Sequence, residues 1–256
     1  MNRSRVQPDI EVLPESEALT ARAAELFIAA ATAAIASTGR FVVALSGGLT
    51  PKKLYALLAT EAFAARIEWA LVHVFWGDER WVPPSDPASN FRMTRETLLD
   101  HVPIPPENIH RMEGDSATDA AARCERVLRD IFATAEGPPH HSAGARFDLV
   151  LLGLGEDGHT ASWFPGRAAV GERQRWAVAE YIREADMWRV TLTPVIINAA
   201  AQIIFLVSGA AKAETLSRVL EGPDQPDQLP AQAVKPTTGT TRWLTDSAAA
   251  ELLRKG

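Results

Sequence analysis

Residues 146–166, RFDLVLLGLGEDGHTASWFPG, carry an apolar run directly into a glycine-rich turn. Leu149 to Leu152 are uninterrupted by any polar residue, and Gly153 follows. Such a short continuous run, closed by glycine, reads as a strand buried on both faces, the kind found in helix-covered parallel sheets. Gly153, Gly155 and Gly158 also spell G-x-G-x-x-G, the spacing of a dinucleotide-binding turn. That turn needs a helix after its third glycine. Here Pro165-Gly166 cuts any helix short, and Asp157 would set a negative charge near a pyrophosphate. One residue favours the dinucleotide: Glu180 stands near the end of a strand candidate, where a ribose-binding acid would sit. The loop suits general base chemistry better. An imidazole can accept and donate protons near neutral pH, and Asp157, two residues before His159, can fix the orientation and tautomer of that ring.

Outward from this stretch the same pattern recurs. RFVVALS (40–46), ALVHVFW (70–76) and QIIFLVSG (202–209) read as further buried strands, and RWAVAEY (175–181) and WRVTLT (188–193) as shorter ones. Between them lie helix candidates over 15–37, 50–59, 89–100, 116–135, 210–222 and 245–255. The second should begin with Thr50 as N-cap and Pro51 in the first helical position. Strands alternating with helices predict an α/β fold, three layers deep, with a mostly parallel sheet and helices on both faces. Residues 136–145 and 222–239 are rich in Pro, Gly and polar residues and read as surface loops. Neither marks a domain boundary, so one domain over 1–256 is expected.

Bulk composition narrows the function. The chain has 256 residues, 46% of them hydrophobic, which allows a sizeable core. A net charge of -6 disfavours a nucleic-acid partner, because phosphate backbones call for a basic face. The lone cysteine, Cys124, permits no intrachain disulfide and no cysteine-based zinc site, which fits a reducing, cytoplasmic setting. The Ala-rich run 21–37 carries Arg22 and Glu25 and reads as a buried helix, not a membrane span. His73 falls mid-strand and is expected in the core. His140 and His141 resemble a metal pair but lie in a polar loop without a partner acid, so no metal site is expected.

In open α/β sheets, sites form beyond the carboxyl ends of strands. Four such places carry chemistry. Ser46-Gly47-Gly48 with Thr50-Pro51 can cradle an anion with backbone N–H groups at a helix start. The stretch is neither a P-loop nor a nucleophile elbow. Asp78-Glu79-Arg80 follows a strand, and an arginine there can clamp an anion or stabilise an oxyanion. The third place is the His159 loop. In the fourth, Lys212 stands in the first turn of a helix, where the dipole opposes it unless an anion binds, and Arg189 can converge on it.

Taken in order, these blocks resemble the 6-phosphogluconolactonase family. The resemblance runs through nearly the whole chain. It includes Ser46-Gly47-Gly48-x-Thr50-Pro51, Gly77-Asp78-Glu79-Arg80, Val82-Pro83, and Ser89-Asn90 with Met93 and Leu98-Leu99. Its most specific block is Gly153-x-Gly155-x-Asp157-Gly158-His159-Thr160-Ala161-Ser162 with Phe164-Pro165-Gly166. Arg189-x-Thr191-x-Thr193 and Ser208-Gly209-x-x-Lys212-Ala213 complete it. Trp163 departs from the usual Leu and is expected to alter pocket lining.

The resemblance implies a fold shared with glucosamine-6-phosphate deaminase, and hydrolysis of a phosphosugar lactone, 6-phospho-D-glucono-1,5-lactone. It implies His159, Asp157 and Arg80 as the catalytic set. Ser46, Gly47, Gly48, Thr50, Asn90, Arg189 and Lys212 would hold the substrate and its phosphate. No cofactor is expected, because ester hydrolysis needs no electron sink, and the protein is expected as a monomer or homodimer. Which arginine serves the phosphate and which the oxyanion stays open. The deaminase alternative wants an acidic residue shortly after its G-x-G-x-D-G-H, and TASWFPG has none. A non-catalytic sugar-phosphate sensor would carry an N-terminal DNA-binding helix-turn-helix. Here the N-terminal residues run almost directly into the domain and the chain is acidic.

Overall fold

The structure, a computed structural model, describes residues 8–133 and 145–254. His140 and His141 lie outside the described residues. Among the described residues, nine strands form two sheets: β1 (Asp9–Leu13), β2 (Phe41–Leu45), β3 (Val72–Trp76), β4 (Asp78–Arg80), β5 (Leu149–Leu152), β6 (Ala177–Ile182), β7 (Met187–Leu192), β8 (Gln202–Val207) and β9 (Thr240–Asp246). The helices are α1 (Ser16–Thr38), α2 (Leu49–Leu58), α3 (Glu61–Ala64), α4 (Asn90–Thr97), α5 (Ala117–Ala133), α6 (Pro194–Ile197) and α7 (Ala213–Glu221). A six-stranded sheet runs β1-β9-β8-β5-β2-β3, parallel at every pairing. A separate three-stranded antiparallel sheet runs β4-β7-β6.

The apolar strands are buried on both faces, as their composition predicts. Along β2, Val42 and Ala44 join the core on one face, and Phe41, Val43 and Leu45 join the core on the other. Strands β5 and β8 divide in the same way. One layer is built from α1, α2 and α4 with Phe27, Leu54 and Tyr55. The opposite layer contains α5, α7 and the small sheet, through Leu128, Leu216 and Val190. By length and composition α1 could cross a membrane, but half of its apolar window is buried inside the protein, and it packs as a core helix.

Several boundaries differ from expectation. The helix expected over 245–255 is absent from its described residues, 245–254: β9 takes Thr245 and Asp246, and the chain turns there because the Asp246 carboxylate accepts the Ala249 N–H at 2.8 Å. Thr50 is not an N-cap. Gly48 occupies the cap at φ 104°, α2 begins at Leu49, and Pro51 still falls in the first turn, where no N–H partner is needed. The helix expected over 210–222 starts as a 3-10 turn, Ala210–Lys212, before α7. Asp78–Arg80, directly after β3, forms a short strand of its own. Residues 222–239 are only partly surface: Leu229 and Ala231 are buried, and Ala231 donates its N–H to the Gly158 carbonyl at 3.0 Å. Trp163 lines no pocket. It is fully buried and donates its indole N–H to the Leu192 carbonyl at 2.7 Å.

From β2 the chain crosses to β3 on one side, and from β5 to β8 on the other. That reversal opens a crevice beyond the carboxyl ends of β2 and β5.

Candidate active site

Every residue singled out for the site lines a single cavity of about 760 Å³ at this crevice. The turn after β2 is clamped from below. Tyr55 Oη donates to the Ser46 carbonyl at 2.8 Å and accepts the Ser46 N–H at 2.9 Å. Asn90 wedges against the next residue: a Cβ on Gly47 would fall 2.0 Å from Asn90 Oδ1, so any side chain there would have to displace the Asn90 amide. Asn90 itself donates from Nδ2 to the Asp78 carbonyl at 2.9 Å. Gly48 and Thr50 then bring the unpaired N–H groups of the α2 first turn to the cavity wall, an anion cradle.

Strand β4 sorts its three polar residues by side. Asp78 and Arg80 line the cavity, whereas Glu79 points away and is buried. Glu79 accepts the N–H groups of Asn90 at 2.7 Å and Phe91 at 2.8 Å and the Ser89 hydroxyl at 3.1 Å, which caps α4. Burial pushes its carboxyl above the usual range, and these backbone donors oppose that rise. Arg80 donates to the Ala88 carbonyl at 2.7 Å, and its buried Nε has no partner. Arg189 lies opposite Arg80 in the β4–β7 register, and its Nε is likewise buried without a partner. Burial lowers the pKa of Arg189 and Asp78, 4.0 Å away, counters this. Two buried donors without partners, side by side, are an anion-binding feature.

The glycine turn after β5 is tightly constrained. Gly155 donates to the His159 carbonyl at 2.8 Å, and Gly158 turns the chain at φ 87°. A Cβ on Gly158 would press to 2.6 Å from Leu229, so the 222–239 segment supports the turn from behind. His159 Nδ1 lies 2.5 Å from Asp157 Oδ1, which also accepts the His159 N–H at 3.1 Å. Burial, the largest influence on Asp157, raises its pKa. The two bonds from His159, together with its electrostatic influence and the N–H of Asp157 itself, hold the carboxyl below the usual range. With Asp157 on Nδ1, the proton belongs there and Nε2 is the free base. Phe164 packs on the imidazole with ring centroids 4.5 Å apart.

Beyond Gly158 the chain makes turns with a Thr160–Trp163 bridge, not the helix a dinucleotide requires. Glu180 is already engaged, accepting the N–H groups of Ala168 and Ala169 at 3.1 and 3.2 Å. Lys212, after β8, reaches the cavity wall 3.6 Å from Glu156. Ser208 and Gly209 do not serve the cradle, since their hydroxyl and N–H are both given to Asp246. Among the described residues, no group of three or more His, Cys, Asp or Glu could hold a metal ion.

Two contacts escaped the sequence reading. Buried Asp78 accepts the Ser162 hydroxyl at 2.6 Å, locking the end of the DGHTAS block to β4. Arg167 pairs with Glu184 at 2.6 Å, and both line the cavity. An acid directly after an apolar strand was the only signal for the first. Nothing local signalled the second.

The model of the glucosamine-6-phosphate isomerases/6-phosphogluconolactonase family matches residues 14–243. The chain belongs to this family. A 6-phosphogluconolactonase of Nostoc sp. is 41% identical over 242 residues, covering 94% of this chain and 96% of the relative. The solved structure of a 6-phosphogluconolactonase from Trypanosoma cruzi superposes with a TM-score of 0.85 at 29% identity, covering all of both chains. A monomeric glucosamine-6-phosphate deaminase shares the fold, with a TM-score of 0.77 at 21% identity over 95% of this chain and 99% of that one.

Proposed function

We propose that this family member is a lactone hydrolase that converts 6-phospho-D-glucono-1,5-lactone to 6-phospho-D-gluconate, a step of the oxidative pentose phosphate pathway, in the cytoplasm as a monomer or homodimer. The observation that carries the mechanism is the Asp157–His159 pair, 2.5 Å apart on a strand-end loop in the cavity. His159 Nε2 takes a proton from water as its oxygen attacks C1. Negative charge gathers on the carbonyl oxygen, where a guanidinium with an unpartnered Nε stabilises it. When the tetrahedral intermediate collapses, the bond from C1 to the ring oxygen breaks. The imidazolium returns its proton to that oxygen, which becomes a hydroxyl. Asp157 stabilises the imidazolium meanwhile. Ser46 to Thr50 and Lys212 hold the phosphate, and that remote anchor positions C1.

The test is a lactone hydrolysis assay corrected for spontaneous hydrolysis. His159→Ala should lower kcat by about 100- to 10,000-fold with product binding intact. Near-full turnover by the variant would remove His159 from the mechanism. Ammonia release from glucosamine 6-phosphate would indicate the deaminase reaction instead.

A further inference from the structure

Glu156 is the residue of the glycine turn with no part in the mechanism above. Its Oε1 lies 3.6 Å from Lys212 Nζ. Its main-chain carbonyl accepts the hydroxyl of buried Thr215 on α7 at 2.5 Å. The backbone of Glu156 is therefore pinned to the same helix start that presents Lys212. The lysine is the more sheltered partner, with 26% of its side chain exposed against 70% for the glutamate.

We propose that Glu156 is an internal competitor for Lys212 and thereby sets how tightly the phosphate is held. This rests on Lys212 being a phosphate ligand. Substrate and product carry the same phosphate, so contacts that tighten the substrate also tighten the product and slow its release. A carboxylate beside the phosphate-binding ammonium offsets part of that binding. An incoming phosphate must displace the Glu156–Lys212 contact. That cost falls only on ligands that carry the phosphate.

Ion pairs this exposed are worth about 0.2–1 kcal/mol. That corresponds to about 1.5- to 5-fold in affinity.

The experiment is calorimetric titration at low salt with 6-phospho-D-gluconate, using D-gluconate as the unphosphorylated control. The proteins are the wild type, Glu156→Gln, Lys212→Ala and the double variant. Glu156→Gln should tighten 6-phosphogluconate about 1.5- to 5-fold, leave D-gluconate unchanged, and have no effect in the Lys212→Ala background. A folding defect does not produce a gain of affinity. If Glu156→Gln is neutral or weakening while Lys212→Ala weakens binding, the proposal fails and the phosphate reading of Lys212 stands. A gain that persists without Lys212 also overturns it, since the effect would then be a general field. If Lys212→Ala itself leaves 6-phosphogluconate binding unchanged, both the proposal and the reading beneath it fail.

Discussion

Arg80 and Arg189 are direct partners across the β4–β7 ladder, and each keeps a buried Nε without a hydrogen-bond acceptor. Like charges directly opposite one another destabilise a sheet, and an unsatisfied buried donor costs about 1–3 kcal/mol. Asp78, 4.0 Å from Arg189, is the counter-charge that makes the arrangement tolerable.

The first prediction concerns Arg80→Met. The variant loses the bond to the Ala88 carbonyl but also loses the like-charge pairing and one orphan donor. Stability should change by no more than about 1 kcal/mol, while kcat/KM falls by about 100- to 1,000-fold, as for removal of an oxyanion donor. Denaturant unfolding beside steady-state kinetics decides it. A large loss of stability matching the loss of activity would make Arg80 a structural residue.

A second prediction tests the glycine turn. A Cβ at residue 155 would lie 2.0 Å from His159 Nδ1 and 2.7 Å from Asp157 Oδ1. Gly155→Ala should therefore displace the imidazole from its carboxylate and lower kcat by at least about 100-fold, since misplacement on this scale has that cost. The Tm should move by only a few degrees, because the clash lies at a partly exposed loop. Full activity in this variant would show that the pair is not held as described.

How much of this was legible in the sequence depends on where each signal resides. Strands β2, β3, β5 and β8 were plain because double-sided burial leaves continuous apolar runs. The edge strand β1, DIEVL, mixes polar and apolar residues and is half exposed, so it lacked that signature. Strand β9 was hidden by the alanines that follow it. The Asp246 carboxylate ends any helix there, and its partners Ser208 and Gly209 are 38 and 37 residues away. Ser46 to Thr50, Asp157, His159 and Lys212 were legible because they follow β2, β5 and β8, and the chain reversal gathers these strand ends; Arg189 lies inside β7 and Asn90 opens α4. Asp78–Ser162 was not, because a contact across 84 residues leaves no local pattern.

A third prediction concerns acid stability. His73 on β3 and His110 are half-buried, with ring nitrogens 3.1 Å apart. Burial, and then the nearness of His73, holds His110 down to about 4. Burial and then Arg40 lower His73 as well. The unfolded chain, with imidazoles near about 6.5, takes up protons first as the pH falls. Stability from these neutral rings is therefore complete above about pH 6.5, lost progressively toward about pH 4, and level below that. Allowing for water at the half-exposed rings, the loss should be about 2 kcal/mol. His110→Phe, which preserves the stack on Phe75, should flatten this pH dependence by half or more in denaturant titrations. An unchanged slope would mean that His110 titrates normally.

The last prediction concerns Asp246, buried at the end of β9. It accepts the Ser208 hydroxyl at 2.5 Å, the Gly209 N–H at 3.0 Å and the Ala249 N–H at 2.8 Å. Burial is the largest influence and raises its pKa, yet these donors together hold the carboxyl below the usual range. Asp246→Asn replaces one acceptor oxygen with a donor that faces donors. That should cost about 1–3 kcal/mol of stability. The turn it loosens carries Lys212, whose N–H closes on the Gly209 carbonyl at 3.0 Å. KM for the phosphorylated lactone should therefore rise several-fold, while hydrolysis of unphosphorylated gluconolactone is little changed at a temperature where the variant is folded. Ser208→Ala, a gentler cut at the same turn, should shift KM in the same direction with a smaller loss of stability. Equal losses on both lactones would mean that Asp246 supports the fold alone and does not position the phosphate site.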